Sequence, residues 1–399
     1  MKRVLLSAAL VVAGIAGTQG AFAQEKVDLD MTSRIRQEAF QRSQVMATLN
    51  HLTDVIGPRL TNSPSMAEAN RWTGSRFSEW GLSNVHDEAV ADIGRGWSFN
   101  DASVEMLSPR IMPLHALPKA WTPGTAGPVE GEAIAAKLQK KEDLEKWKGK
   151  LKGKVVFVDE LRAYKPNEKS DFDRHDHESL EELLSYPLPS ERGRDASMLA
   201  QFRERQEFGP LLNQFLIDEG VVATMSISSW NDGIVRVMGG GSRKAGESVG
   251  VPALVMMAEH YNTVMRALER KESVKLRVNV DARFLNDDNQ PGYNTTAEIP
   301  GSGPQKNEVV MLGAHMDSWH TGSGANDNGA GVAVMMEAVR ILKAVGARPN
   351  RTIRVALWTG EEQGLIGSQA YVAKHFASYP EPTDPEQKAL PAAFRSNKG

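Results

Sequence analysis

From Ser33 to Ile56 the apolar residues Ile35, Phe40, Val45, Leu49, Leu52 and Ile56 recur at three- to five-residue steps. That spacing predicts one amphipathic helix, ended by Gly57-Pro58. Ser63-Pro64 then reads as an N-cap with proline at the first helical position. The helix it opens carries Trp72, Phe77 and Trp80 and closes at Gly81. Met66 and these aromatics are expected in the core.

Pro109, Pro113, Pro118, Pro123 and Pro128 punctuate the next stretch and mark a domain crossing. The apolar runs Lys154–Val158, Gly220–Ser226 and Val251–Val255 predict strands of a small mixed α/β insert. Between them, the polar stretch from Ala163 to Arg205 holds Asp171, Asp173, His175, Asp176, His177 and Glu178. It reads as a solvated insertion rather than a metal cluster, because nothing apolar nearby would hold ligands rigidly. Gly239-Gly240-Gly241-Ser242 lacks the Lys-Ser/Thr of a phosphate loop and reads as a plain turn.

Val274 to Phe284 alternates apolar and polar residues, a half-buried strand leading back to the first unit. From there strand and helix alternate. Glu308–Gly313 is a strand, Gly329–Val345 a helix, Thr352–Leu357 a strand and Leu365–Phe376 a helix. The expected fold class is therefore α/β, with a mixed, largely parallel sheet sandwiched by helices. In such sheets ligands bind beyond the carboxyl ends of the strands. The expected divisions are a signal peptide at 1–23, a first part of the main domain at 24–118, the insert at 119–272 and the main-domain core at 273–399.

Composition narrows the chemistry. The 399 residues carry a formal net charge of -3 and no Lys/Arg-rich run, so nucleic acid is not an expected partner. There are no cysteines, so any transition metal must sit on His, Asp and Glu. Lys2 and Arg3, the apolar run Val4–Ala16 and Ala21-Phe22-Ala23 form a cleavable signal peptide, cut after Ala23. The chain is expected to be secreted or periplasmic, without a stable membrane anchor.

Three segments concentrate the metal-binding chemistry: Gly313-Ala314-His315-Met316-Asp317-Ser318, Ala325-Asn326-Asp327-Asn328-Gly329 and Trp358-Thr359-Gly360-Glu361-Glu362. His315 follows a buried strand and is a natural zinc ligand, with Asp317 placed to orient it. Asp327, in the turn before a helix, can bridge two cations with its two oxygens. Gly322, Gly324 and Gly329 would let the backbone approach closely there. Glu361 and Glu362 end the next strand and point in different directions. One can bind metal while the other faces substrate as a base. Two Zn²⁺ ions about 3.5–4 Å apart would share and activate a water for attack on a peptide carbonyl. His320 reads as a rim residue and His375 as solvated.

With Gly57-Pro58-Arg59-Leu60, Tyr293–Gly301, Gly313–Trp319 and Leu357–Gly364, the chain resembles the co-catalytic zinc aminopeptidases of the bacterial leucyl aminopeptidase type, and within them the carboxypeptidase Q branch. The resemblance implies a phosphorylase/hydrolase-like zinc-exopeptidase fold with an inserted protease-associated domain, acting on peptides. It implies His315 and Glu362 as terminal ligands on different zincs and Asp327 as the bridge. Glu361 would be the general base and Asp317 the partner of His315. Asn328 stands where the family has an acidic residue. The family also supplies a later acidic ligand and a later His. After Glu362 this chain offers Glu381, Asp384 and Glu386 and no His beyond His375, as a C-terminally truncated copy would. The leading expectation is a secreted di-zinc exopeptidase. A catalytically incomplete binding module on the same scaffold, and a one-zinc acyltransferase of the glutaminyl cyclase kind, are the alternatives.

Overall fold

A computed structural model describes residues 27–163, 168, 172, 174–185, 196–231, 233–378, 380 and 382–388. The signal-type segment, Asp171, Asp173 and Glu381 lie outside the described residues.

The described strands are β1 (Ser83–Gly94), β2 (Trp97–Ser108), β3 (Met112–Leu114), β4 (Ala116–Pro118), β5 (Val129–Ala135), β6 (Lys154–Phe157), β7 (Ala223–Ile227), β8 (Ala253–Met256), β9 (Lys275–Phe284), β10 (Gln290–Ile299), β11 (Val309–His315) and β12 (Thr352–Trp358). They form two sheets, one ordered β1-β10-β12-β11 and one ordered β3-β2-β9-β5-β6-β7-β8-β4. The second sheet takes in β2 before residue 119 and β9 after residue 272. In β9 the alternation of Leu276, Val278 and Val280 puts these side chains into its core beside Val155, Phe157 and Met225.

The expectation of a largely parallel sheet is corrected. In the first sheet β1 and β10 are antiparallel, β10 and β12 are antiparallel, and only β11 and β12 run parallel. A parallel pair needs a crossover, and the helix Ala330–Ala344 supplies it for β11 and β12 alone. The second sheet is mixed as well, with β5, β6, β7 and β8 parallel and its flanking pairs antiparallel.

Helix ends follow local chemistry. The Ser63 side chain accepts the Met66 N–H and Pro64 opens the helix Pro64–Glu79. That helix buries Met66, Ala69 and Phe77 against Met336, Val355 and Leu357 of the first core. The single helix expected over 33–56 is instead two helices, Leu29–Gln41 and Val45–Asn50, followed by a π-helical turn His51–Ile56. Phe40, expected in the core, is 82% exposed. The residue its helix buries is Glu38, whose Oε1 lies 2.8 Å from Arg340 Nη1. Gln44 N–H donates to Glu337 Oε1 where the helix breaks. An ion cluster, not an apolar stripe, seats this helix on the helix Ala330–Ala344.

Candidate metal centre

The parallel register of β11 and β12 places His315 beside Trp358. Met316 N–H donates to Trp358 O at 2.7 Å, so the chain leaves both strands at the same level. His315 ends one strand, and Glu361 and Glu362 follow the other within a turn closed by Gly364 and Leu365 N–H on Glu361 O. Asp327 comes from the π-helical turn Ala325–Gly329 that enters the helix Ala330–Ala344. One ligand atom from each of His315, Asp327 and Glu362 lies within 4.8 Å of the other two.

Asp317 organises this end of the sheet. It is fully buried. Its Oδ1 accepts the Glu361 N–H at 3.1 Å, and its Oδ2 accepts the Glu362 N–H at 3.2 Å. His315 Nδ1 lies 3.7 Å from Asp317 Oδ1 and 3.0 Å from the Asp317 carbonyl oxygen. A carbonyl only accepts, so Nδ1 carries the proton and Nε2 is the atom left to bind a cation. The main-chain oxygen is thus the better-placed partner of His315, with the carboxylate behind it.

Nε2 of His315 faces Asp327 Oδ1 at 3.0 Å, and Glu361 Oε2 stands further off at 3.9 Å. Burial would lower the His315 pKa, but Asp317 and then Glu361 outweigh it and push it up to about 9. Burial, then the charges of Asp327 and Asp317, push Glu362 up to about 7. Lone pairs of His315, Asp327 and Glu362 held this close require a shared positive charge, which protons or a bound cation supply. One imidazole and two carboxylates, with no thiolate, suit Zn²⁺.

Arg59 holds the surrounding loops and was not recognised as a site residue in the sequence. It has no exposed surface. Its guanidinium donates to the carbonyls of Met316 (2.9 Å), Leu52 (3.2 Å), Ser323 (3.1 Å) and Gly324 (2.8 Å). The sequence offers it only as part of Gly57-Pro58-Arg59-Leu60, with no sign of what the guanidinium holds. Gly324, at φ 61°, and Gly329 sit where a Cβ would collide with neighbours, as expected. Gly322 has open space around it, so no close approach requires it. Asn328 accepts the Gly331 N–H at 3.0 Å and so serves the helix start.

Two histidines differ from expectation. His320 is not at the rim: it is 5% exposed, bonded to Pro118 O and packed edge-on against Trp97 and Phe99. Burial pushes its pKa down to about 4. His375 is not merely solvated, because its Nε2 lies 2.8 Å from Glu88 Oε2 and its ring packs on Tyr371. Among the described residues, His175, Asp176, His177 and Glu178 form no metal-type cluster.

Residues 294–387 match the sequence model of peptidase family M28. Bovine (Bos taurus) carboxypeptidase Q is 29% identical over 364 residues, 90% of this chain and 66% of that protein. This chain spans 64–66% of the length of the mouse and bovine carboxypeptidases Q. A solved peptidase M28 precursor from Shewanella amazonensis SB2B has a similar fold, with a TM-score of 0.57 at 24% identity over 87% of this chain and 71% of that one. A zinc aminopeptidase from Bacillus subtilis gives a TM-score of 0.50 at 17% identity, over 84% of this chain and 65% of that one.

Proposed function

We infer that this chain, a member of the zinc aminopeptidase family that includes carboxypeptidase Q, serves a zinc-dependent exopeptidase hydrolysing peptide bonds at a chain terminus or in dipeptides. The convergence of His315, Asp327 and Glu362 at the end of a parallel strand pair carries this reading. His315 and Glu362 would hold different zinc ions, with Asp327 between them. Bound zinc would supply Lewis acidity for the scissile carbonyl and the attacking water. The chain's own groups do the rest. Asp317 fixes the His315 ring through Nδ1 and pins the Glu361–Glu362 turn through two backbone N–H groups. Glu361, with its side chain 36% exposed and Oε2 further from His315 Nε2 than Asp327 is, would take the proton from the water. It would then return that proton to the leaving amine. The second sheet, β2 to β9, is the unit we equate with a protease-associated insert. The Lys2-Arg3, Val4–Ala16 and Ala21-Phe22-Ala23 pattern supports export.

The test is amino-acid release from dipeptides and from peptides blocked at one end, with zinc present. Release that is lost when one particular end is blocked, or that is confined to dipeptides, supports the reading. Zinc-loaded protein that releases nothing from any of them overturns it.

A further inference from the structure

Asp317 Oδ2 has a second neighbour from far along the chain. Thr61 Oγ1 lies 3.0 Å from it. The same hydroxyl lies 2.5 Å from Gln363 Oε1. Thr61 is 1% exposed. A hydroxyl has one proton, and both of these oxygens are acceptors. Meanwhile Gln363 Nε2 is buried and has no hydrogen-bond partner. Two acceptors compete for one proton while a donor beside them goes unused. Turning the Gln363 amide end over end, which leaves its shape unchanged, ends the competition and uses the donor, and leaves only the carbonyl Oε1 in the unpartnered position. Nε2–H then faces the Thr61 oxygen, and the Thr61 proton is free for Asp317.

We propose that Thr61 and Gln363 are positioning residues for the metal centre, joined in a relay from Gln363 Nε2–H to Thr61 Oγ1 and from Thr61 O–H to Asp317 Oδ2. The proposal rests on the zinc reading above. The relay fixes the carboxylate from the side away from His315, so that Oδ1 stays with the Glu361 N–H and close to Nδ1. Thr61 is itself held in place. Arg59 N–H donates to Ser318 Oγ at 3.0 Å and Ser318 N–H returns to Arg59 O at 3.1 Å, clamping the two segments together. The segment before the helix Pro64–Glu79 thereby sets the geometry of ligands more than 250 positions later. Polar groups that hold a ligand's own partner govern metal affinity.

The experiment compares wild type, T61V, T61S and Q363M. Zinc affinity is measured by competition with a chromogenic chelator, thermal unfolding on the zinc-free proteins, and kcat and KM on a dipeptide. T61V and Q363M are expected to bind zinc about tenfold or more weakly, with kcat reduced more than KM is changed. T61S is expected to restore wild-type affinity, since it keeps the hydroxyl. T61V and Q363M binding zinc as wild type does would overturn the proposal, as would T61S binding as weakly as T61V. If zinc-free T61V does not unfold cooperatively, Q363M, altered at a side chain less buried than that of Thr61, decides alone. Wild-type protein that takes up no zinc overturns the zinc reading itself, and this inference with it.

Discussion

Nε2 of His315 and Oδ1 of Asp327 lie 3.0 Å apart, although one ends β11 and the other sits in the turn before the next helix. With Nδ1 committed to the Asp317 carbonyl, this pair is the part of the ring that can meet a cation. Asp327→Asn keeps the size of the side chain and removes the charge that answers the metal. Zinc affinity is expected to fall by more than the roughly 10–100-fold that loss of an outer partner produces. Chelator competition measures it. Unchanged zinc retention in D327N would remove Asp327 from the ligand set.

Glu361 should behave in the opposite way. Its carboxylate is further from His315 than that of Asp327, and Asp317 anchors it through the backbone rather than the side chain. Glu361→Gln is therefore expected to keep its zinc while kcat drops about 10²–10⁴-fold, the usual contribution of a general base. Zinc analysis alongside steady-state kinetics separates the two effects. A variant that lost zinc together with activity would make Glu361 a ligand instead of a base.

The loop carrying Asp327 depends on Gly324. Its φ of 61° disfavours any Cβ, and a Cβ there would sit 2.6 Å from Ser318 Oγ and 2.8 Å from the Arg59 guanidinium. Gly324→Ala is expected to cost about 1–3 kcal/mol of stability and to weaken zinc binding, as Arg59 is pushed off the Gly324 carbonyl. Gly322→Ala is the control. With open space around it, it should stay within about 0.5 kcal/mol of wild type. Equal effects of the two substitutions in urea unfolding would contradict this account of the loop.

What the sequence made legible was local. The Ser63-Pro64 helix start needs only a side-chain oxygen and an N–H three residues on. His315 and the Glu pair could be set side by side because parallel neighbours share their carboxyl end. The antiparallel pairings of β1 with β10 and of β10 with β12 were not legible, since other strands and helices lie between each pair in the chain and no single crossover links them to signal direction. Arg59, Thr61 and Gln363 act across hundreds of positions and leave no periodic trace. Phe40 is misplaced, and Glu38 passes unmarked, for a related reason. An apolar period assumes an apolar partner, and the helix Ala330–Ala344 presents Glu337 and Arg340 instead.

That ion cluster gives a prediction in pH. Arg340 is 5% exposed and donates to Glu337 Oε2 at 2.7 Å and to Glu38 Oε1 at 2.8 Å. The bond from Arg340, then that from Arg42, holds Glu38 below its ordinary value. Burial would raise Glu337, but Arg340 and the Gln44 N–H outweigh it and hold it low as well. Carboxylates with depressed folded-state pKa values contribute stability that is present above the ordinary value of 4.5 and lost as pH falls through the lower folded value. Arg340→Met keeps length and packing but takes the shared cation away from Glu337 and leaves Glu38 with Arg42 alone. It should cost about 3 kcal/mol or more at neutral pH. Acid should then act in opposite senses on the two proteins. Below about pH 4.5 wild type loses the cluster's contribution, while protonation relieves the uncompensated charge in the variant. The gap in thermal midpoint between wild type and R340M should narrow from pH 7 to pH 4. A gap that stays constant across that range would mean that Arg340 acts through packing alone.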